Sequence, residues 1–441
     1  MVFFTKGGDY MDPATITLIV LALAAFFFIS GLLPLAVTSM AACTILGFLG
    51  VLTPKEVYSS IANNTVVLFG GMFVIGASLF KTGVAQAVGT SIIKKAGTSE
   101  RKLILAIMVV TAILSSVCSN TATCVTLMPV VLGIAEAGKL APARLLVPVT
   151  YAAHAGGSIT LAGTPPNALV LGALTAAGLS GFGFFEYAYA AIPITIVAII
   201  YMVTIGRKLL PSVTGTGMID AKTQAAIDEM NKENAATNKD KSKMYISSLI
   251  MIAVVILLFA GFKGISMSMA AVAGALLCVI TGCISEKDAY KSVDWATLFM
   301  FAGMLGVAKA MQKTGAGKIM ANFFVGILGS NPSPYLICAV IFIATSFLTQ
   351  FMSNTATAAV VAPIGVSIAQ AIGCDPHALL MTVAMAAASS FATPMACPPN
   401  MLFMGPGHIK FNDYLRCGVP LCILSCITCL IVIPLVWPFF P

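Results

Sequence analysis

The sequence predicts an all-α, polytopic membrane protein built from two inverted-topology repeats. Each repeat has five transmembrane helices, one re-entrant hairpin and one helix broken at the midplane. Three observations carry this expectation. The 441 residues are 59% hydrophobic and only 9% charged, too few charges to wet the surface of a soluble protein of this size. Apolar runs of about 17–25 residues, the length that crosses a bilayer, recur along the chain. The pentapeptide Ser-Asn-Thr-Ala-Thr occurs twice, at 119–123 and at 353–357, each time inside a long apolar stretch. Hydroxyl and amide groups at that depth are costly unless something polar binds them.

The repetition extends well beyond the pentapeptide. Glu56-Val57-Tyr58 matches Asp288-Ala289-Tyr290, and Phe69-Gly70-Gly71-Met72 matches Phe301-Ala302-Gly303-Met304. Lys81-Thr82-Gly83 matches Lys313-Thr314-Gly315, and Pro165-Pro166-Asn167 matches Pro398-Pro399-Asn400. Glu186-Tyr187 followed by Pro193 matches Asp413-Tyr414 followed by Pro420. The landmarks keep their order with offsets of 227–234 residues, the mark of a duplicated unit.

In the first repeat, 15–210, spans are expected near 15–33, 35–52 and 64–80. The opening span is too long for a signal peptide and is followed directly by others. An amphipathic, interfacial segment with Lys94, Lys95, Arg101 and Lys102 covers 81–101. The re-entrant hairpin is 103–137, because each arm flanking the pentapeptide is too short to cross alone. A helix over 144–177 breaks at Gly163-Thr164-Pro165-Pro166-Asn167, since two successive prolines remove donors and clash with preceding carbonyls. Such freed backbone is tolerated at membrane depth only where it lines a cavity. A last span covers 186–205. The balanced-charge stretch 211–245 reads as a solvated linker. The second repeat, 246–438, has its hairpin at 336–372 and its broken helix at 377–405.

Five crossings per repeat, an odd number, orient the two halves oppositely, the architecture of secondary transporters with a midplane site. Charge gives the orientation independently. Eighteen of the 24 Lys and Arg, or 13 without the five linker lysines, fall on the side of the linker, and six fall with the termini. The positive-inside rule then puts both termini outside and the linker in the cytoplasm of a cell-membrane protein. The net charge of +8 reflects loop topology. It gives no reason to expect nucleic acid as a partner, because the basic residues are scattered over many loops.

The tips offer particular chemistry. Asn120 and Asn354 present an amide oxygen to a cation and an amide donor to an anion. Ser119, Thr121, Ser353 and Thr355 add hydroxyls, and Ser115 and Thr349 add one more a turn earlier on the same face. With free carbonyls at the breaks this makes an oxygen-only shell suited to Na⁺. Helix N-termini after each tip and break favour an anion. No Lys or Arg lies near the motifs, so a co-bound cation would offset the anion's charge.

Blander readings remain for single features. Such clusters can simply join helices by hydrogen bonds. His154, aligned with Ala387 of the second repeat, suits an inter-helix hydrogen bond or a titrating group. Lys309 suits a side chain snorkelling to the interface, and Gly156-Gly157 suits close helix approach or an exposed carbonyl. Cys422, Cys426 and Cys429 share a helical face that reads as packing or, less well, as a metal site. A Ser158–His154 hydrolase lacks a third group and an oxyanion hole, so no enzyme is expected. A passive channel fits two opposed re-entrant tips less well than alternating access.

At these residues the chain resembles the divalent-anion/sodium symporter family, carriers of di- and tricarboxylates and sulfate. The resemblance rests on both Ser-Asn-Thr tips, on Gly156-Gly157 leading into 163–167, on Pro398-Pro399-Asn400, on the Lys-Thr-Gly landmarks and on Gly407…Lys410…Asp413…Gly418. It implies sodium-coupled symport of a small divalent anion such as a C4-dicarboxylate, by a homodimer whose transport domain slides like an elevator against a fixed scaffold. Proton coupling, anion exchange and cation/proton antiport are the alternatives. It further implies one sodium site at Ser115, Ser119, Asn120 and the Gly157 backbone, and another at Thr349, Ser353, Asn354 and the Ala396 backbone. Substrate carboxylates would meet Asn120, Thr121, Asn354 and Thr355, near Thr164, Pro165, Cys397 and Pro398. One departure is Cys397, where the family pattern has Thr. A thiol is a weaker donor there.

Overall fold

The computed structural model describes residues 11–95, 97, 99–212, 240–260, 264–328 and 333–440. Most of the expected linker, 213–239, lies outside them, as do the side chains of Lys94 and Lys95. Every described element is helical. The first half runs α1 (Pro13–Ser30), α2 (Leu35–Phe48), α3 (Pro54–Ser59), α4 (Asn64–Lys81), α5 (Val84–Lys95), α6 (Glu100–Val117), α7 (Asn120–Ala137), α8 (Ala143–Gly157), α9 (Pro165–Ala176) and α10 (Ala188–Tyr201). The second runs α11 (Lys241–Ala260), α12 (Met267–Ile280), α13 (Glu286–Ser292), α14 (Trp295–Thr314), α15 (Ala316–Leu328), α16 (Pro334–Leu348), α17 (Asn354–Ile372), α18 (Pro376–Ala388), α19 (Pro398–Leu402), α20 (Met404–Gly407) and α21 (Phe411–Val436). The order of the first half recurs in the second, with α9 split into α19 and α20.

Among the described residues seven helices are long and apolar enough to cross a membrane, or eight if bent α13–α14 is one span. The expected spans α2 and α12 are only 14 residues each, about 21 Å at 1.5 Å per residue. The helix expected from 246 begins at Lys241, so the linker is shorter than its composition suggested.

The two halves cross-pack at their glycine landmarks. α4 lies against α12, and α14 against α2. A Cβ on Gly71 would come within 2.8 Å of the Ala271 carbonyl, and one on Gly303 within 2.5 Å of the Ser39 carbonyl carbon. Backbones in such contact admit no side chain, which is how small residues drive helix association in lipid. Phe69 and Phe301, from the same paired landmarks, meet edge to face at 5.3 Å.

The charged landmarks are reciprocal as well. Lys81 Nζ lies 3.4 Å from Asp288 Oδ2, and Lys313 Nζ lies 2.9 Å from Glu56 Oε2. The lysine of each Lys-Thr-Gly corner thus pairs with an acid in the first turn of the other half's short helix, α3 or α13. Lys309, expected to snorkel, lies 3.7 Å from Glu56 instead. The Glu/Asp-Tyr landmarks brace the breaks: Tyr187 donates to the Asn167 carbonyl and Tyr414 to the Asn400 carbonyl, both at 2.8 Å.

Candidate functional site

Each hairpin turns sharply at its pentapeptide. Ser119 is the N-cap of α7, its Oγ accepting from Ala122 N at 3.2 Å, and Ser353 caps α17 through Ala356 N at 3.1 Å. Capping satisfies one orphan donor of each new helix and fixes Asn120 and Asn354 at the first helical position. The arms are α6–α7 and α16–α17, so the first hairpin starts three residues earlier than expected and the second two. α7 and α17, at 18 and 19 residues, are long and apolar enough to cross a membrane, so these arms are not as short as expected.

The breaks are built alike. In the first, Asn167 Nδ2 donates to Ser158 O at 3.0 Å and Thr160 O at 2.8 Å, while the Thr160 hydroxyl donates to Ser116 O. In the second, Asn400 Nδ2 donates to Ser390 O and Thr393 O, both at 3.0 Å, and the Thr393 hydroxyl donates to Gln350 O. Two carbonyls at each break are thus held by the Asn of Pro-Pro-Asn, which satisfies part of the interrupted backbone. Thr164 and Cys397 stand in extended conformation just before α9 and α19 with no side-chain cap bond. Their polar atoms are not spent on the helix start.

At the first hairpin, Ser115 Oγ lies 2.7 Å from Asn120 Oδ1 and 3.0 Å from Ala153 O. At the second, Thr349 Oγ1 lies 2.8 Å from Asn354 Oδ1 and 3.0 Å from Ala387 O. In both, two acceptor oxygens converge on a hydroxyl with one proton to give. One acceptor is therefore left facing lone-pair density, which a cation relieves. More oxygens gather around the first cluster. A Cβ on Gly157 would lie 2.2 Å from Asn120 Oδ1, and one on Gly163 would lie 2.2 Å from Gly157 O and 2.8 Å from Ser115 O. Hydroxyl, amide and carbonyl oxygens without a formal charge suit a hard monovalent cation, not a transition metal.

The equivalence of Ala153 with Ala387 corrects the expected alignment of His154 by one residue, to Ala388. Gly163 also corresponds to Ala396 by its place before Thr164-Pro165 and Cys397-Pro398. The expected mirror of Ala396, Gly157, is a further member of the first cluster. Ala396 is buried, in the second break.

His154 is fully buried and joins the halves. Its Nδ1 lies 3.4 Å from Asn120 Nδ2, and its Nε2 lies 3.2 Å from Asn400 Oδ1. Ser115 orients the Asn120 amide and Ser390 and Thr393 orient that of Asn400, so the ring accepts at Nδ1 and donates at Nε2. The second cluster does without an imidazole, since Asn354 Nδ2 donates to Ser390 Oγ at 3.0 Å. Asn167 Oδ1, the counterpart of the oxygen His154 serves, is buried with no hydrogen-bond partner. Ser158 Oγ donates to the His154 carbonyl at 3.0 Å, so it forms no nucleophile–base pair with the ring.

The expected anion contacts fall into two crossed sets. α7, carrying Asn120 and Thr121, packs on α19 with Pro398 at its start, next to Cys397. α17, carrying Asn354 and Thr355, packs on α9, which begins at Pro165 after Thr164. Each hairpin therefore faces the break of the other half. A cavity of about 710 Å³ reaches the first tip at Cys118, Ser119 and Ala122, and Lys81, Lys243 and Asp288 line it as well.

The family model described as "Citrate transporter" matches residues 24–384 and 340–439. The chain is 24% identical over 601 aligned positions to the uncharacterized transporter YfbS of Escherichia coli, covering 95% of this chain and 98% of that one. It is 29% identical over 445 positions to the sodium-dependent dicarboxylate transporter SdcS of Staphylococcus aureus, covering 94% and 84%. Two solved structures share the fold. The YdaH transporter of Alcanivorax borkumensis has a TM-score of 0.64 at 11% identity, covering 98% of this chain and 100% of its own. MtrF of Neisseria gonorrhoeae has 0.62 at 13% identity, covering 99% and 97%.

Proposed function

The chain belongs to the citrate transporter family and is a multi-pass membrane transporter, not an enzyme, and we propose that it is a sodium-coupled symporter of a small divalent anion such as a C4-dicarboxylate. The observation that carries this reading is the doubled oxygen cluster, in which one hydroxyl meets two acceptors at Ser115 and again at Thr349. Similarity to a sodium-dependent dicarboxylate transporter supports the choice of ion and substrate class.

In this reading Na⁺ binds first, at Ser115, Ser119, Asn120, Gly157 and Gly163, and at Thr349, Ser353, Asn354 and Ala396. The ions turn a site without basic side chains into one that attracts a dianion. The anion then lies between the tips, taking donors from Asn120, Thr121, Asn354 and Thr355 and from the starts of α9 and α19. Thr164-Pro165 and Cys397-Pro398 form its walls. The halves are inverted repeats, the hairpins and broken helices move together past the α2, α4, α12 and α14 core, and the protein is a homodimer. Both termini face outside, which makes the cavity at the first tip an inward-open vestibule.

Uptake into proteoliposomes tests the reading. A C4-dicarboxylate should accumulate under an inward Na⁺ gradient and not under an H⁺ gradient alone. Accumulation under the proton gradient without sodium selects the proton-coupled alternative, and exchange with no gradient requirement selects the exchanger.

A further inference from the structure

The cavity at the first tip has two ammonium groups in its lining, and among the described residues only one pairs with a carboxylate. Lys81 pairs with Asp288 at 3.4 Å. Lys243, at the start of α11, lines the same cavity and has no carboxylate within ion-pairing distance among the described residues. Phe69, Met72, Phe73 and Phe80 give the vestibule an apolar wall beside its polar lining. With Lys81 and Asp288 offsetting each other, the Lys243 ammonium leaves an excess of one positive charge among the lining residues, and a charge beside low-dielectric walls raises the local concentration of counter-ions.

The asymmetry between the halves argues for a role in ligand handling. Lys81–Asp288 has its counterpart in Lys313–Glu56, as expected of a structural pair that the duplication preserved. Lys243 has none: the start of α1, which corresponds to the start of α11, reads Met11-Asp12-Pro13, an acid and no base. The other half also has a second ammonium, Lys309, but it shares Glu56 with Lys313, whereas Lys243 has no carboxylate partner among the described residues.

We propose that the rim of this vestibule is an anion subsite in which Lys243 holds a small polyvalent anion before it reaches, or after it leaves, the Ser119 tip. The chemistry is that of a dicarboxylate or inorganic sulfate. The inference deepens the symport reading and rests on its anionic substrate class. It makes apparent affinity directional, tighter from the Lys243 face.

Two measurements test it, the first independent of transport. In purified full-length protein, succinate or sulfate should slow amine acylation of Lys243, read by peptide mass spectrometry, while Lys410 is unaffected. Acetate at equal ionic strength should protect far less. Absence of protection overturns the proposal whether or not uptake is observed. If protection holds but no sodium-driven uptake is found, the symport reading falls and the subsite stands. In proteoliposomes of defined sidedness, K243Q should raise the succinate KM on the Lys243 face roughly tenfold at low salt, leave the other face unchanged and be rescued by K243R. The difference should shrink as ionic strength rises through about 0.1 M, where the screening length is about 10 Å. An unchanged KM, or an equal rise on both faces, contradicts the subsite.

Discussion

Removing a single hydroxyl probes the cation clusters without disturbing the fold. In Ser115→Ala the side chain loses only Oγ, leaving Asn120 Oδ1 and Ala153 O, which flanked it at 2.7 and 3.0 Å, with no proton between them. Thr349→Val does the same at the other half, where the distances are 2.8 and 3.0 Å, and keeps the side-chain shape. In the cation-bound state the variant lacks one ligand oxygen, a contact to a charged group worth about 1–3 kcal/mol net of the hydrogen bond lost in the cation-free state. At about 1.4 kcal/mol per decade the half-saturating Na⁺ concentration should rise roughly five- to a hundredfold in each variant. The assay is Na⁺-dependent thermal stabilisation at saturating dicarboxylate, followed by initial uptake rates. Ser116→Ala is the control, because its hydroxyl only donates to Ile113 O of its own helix. Wild-type Na⁺ dependence in both S115A and T349V would refute the assignment of the oxygen clusters to the coupling ion.

Three further outcomes are expected. His154→Ala strips the donor from Asn400 Oδ1 and the acceptor from Asn120 Nδ2, so apparent affinities for sodium and dicarboxylate should both fall several-fold while the protein stays folded by circular dichroism; wild-type affinities would show that the bridge is dispensable. Cys397→Thr restores a stronger donor before α19 and should shift selectivity among dicarboxylates of different length, measured by competition; an unchanged ranking would mean that residue 397 does not meet the anion. Gly71→Val or Gly303→Val drives a side chain into the Ala271 or Ser39 backbone and should lower the midpoint of thermal unfolding by several degrees, where an unchanged midpoint would contradict the tight crossing.

Much of the site was legible because polar residues inside apolar runs are conspicuous. Ser-Asn-Thr and Pro-Pro-Asn stand out for that reason, and duplication marks each landmark twice. Most landmarks have a physical role in the folded protein. Gly71 and Gly303 admit a crossing helix, Lys81 and Lys313 reach acids of the other half, and Asn167 and Asn400 clamp the breaks. Partners across the halves were not legible. Lys309 and Glu56 are 253 positions apart, and Lys309 lies near a span end, so snorkelling was the reading its own neighbourhood supported. The bridge from His154 to Asn400 spans 246 positions and escaped for the same reason. Its alignment slipped by one because the breaks differ in length by a residue, and only the matched bonds of Ser115 to Ala153 and Thr349 to Ala387 fix the register. Gly163 was missed because a glycine before Thr-Pro reads as part of a turn, while its crowding against the Gly157 and Ser115 carbonyls exists only in three dimensions.

The cooperativity of sodium activation tests the doubled cage most directly. Initial dicarboxylate uptake measured against external Na⁺, with choline keeping ionic strength constant, should rise sigmoidally with a Hill coefficient approaching about two, and S115A or T349V should bring it towards about one. A hyperbolic wild-type curve, or full activity in choline alone, would contradict the account of two coupled cation sites.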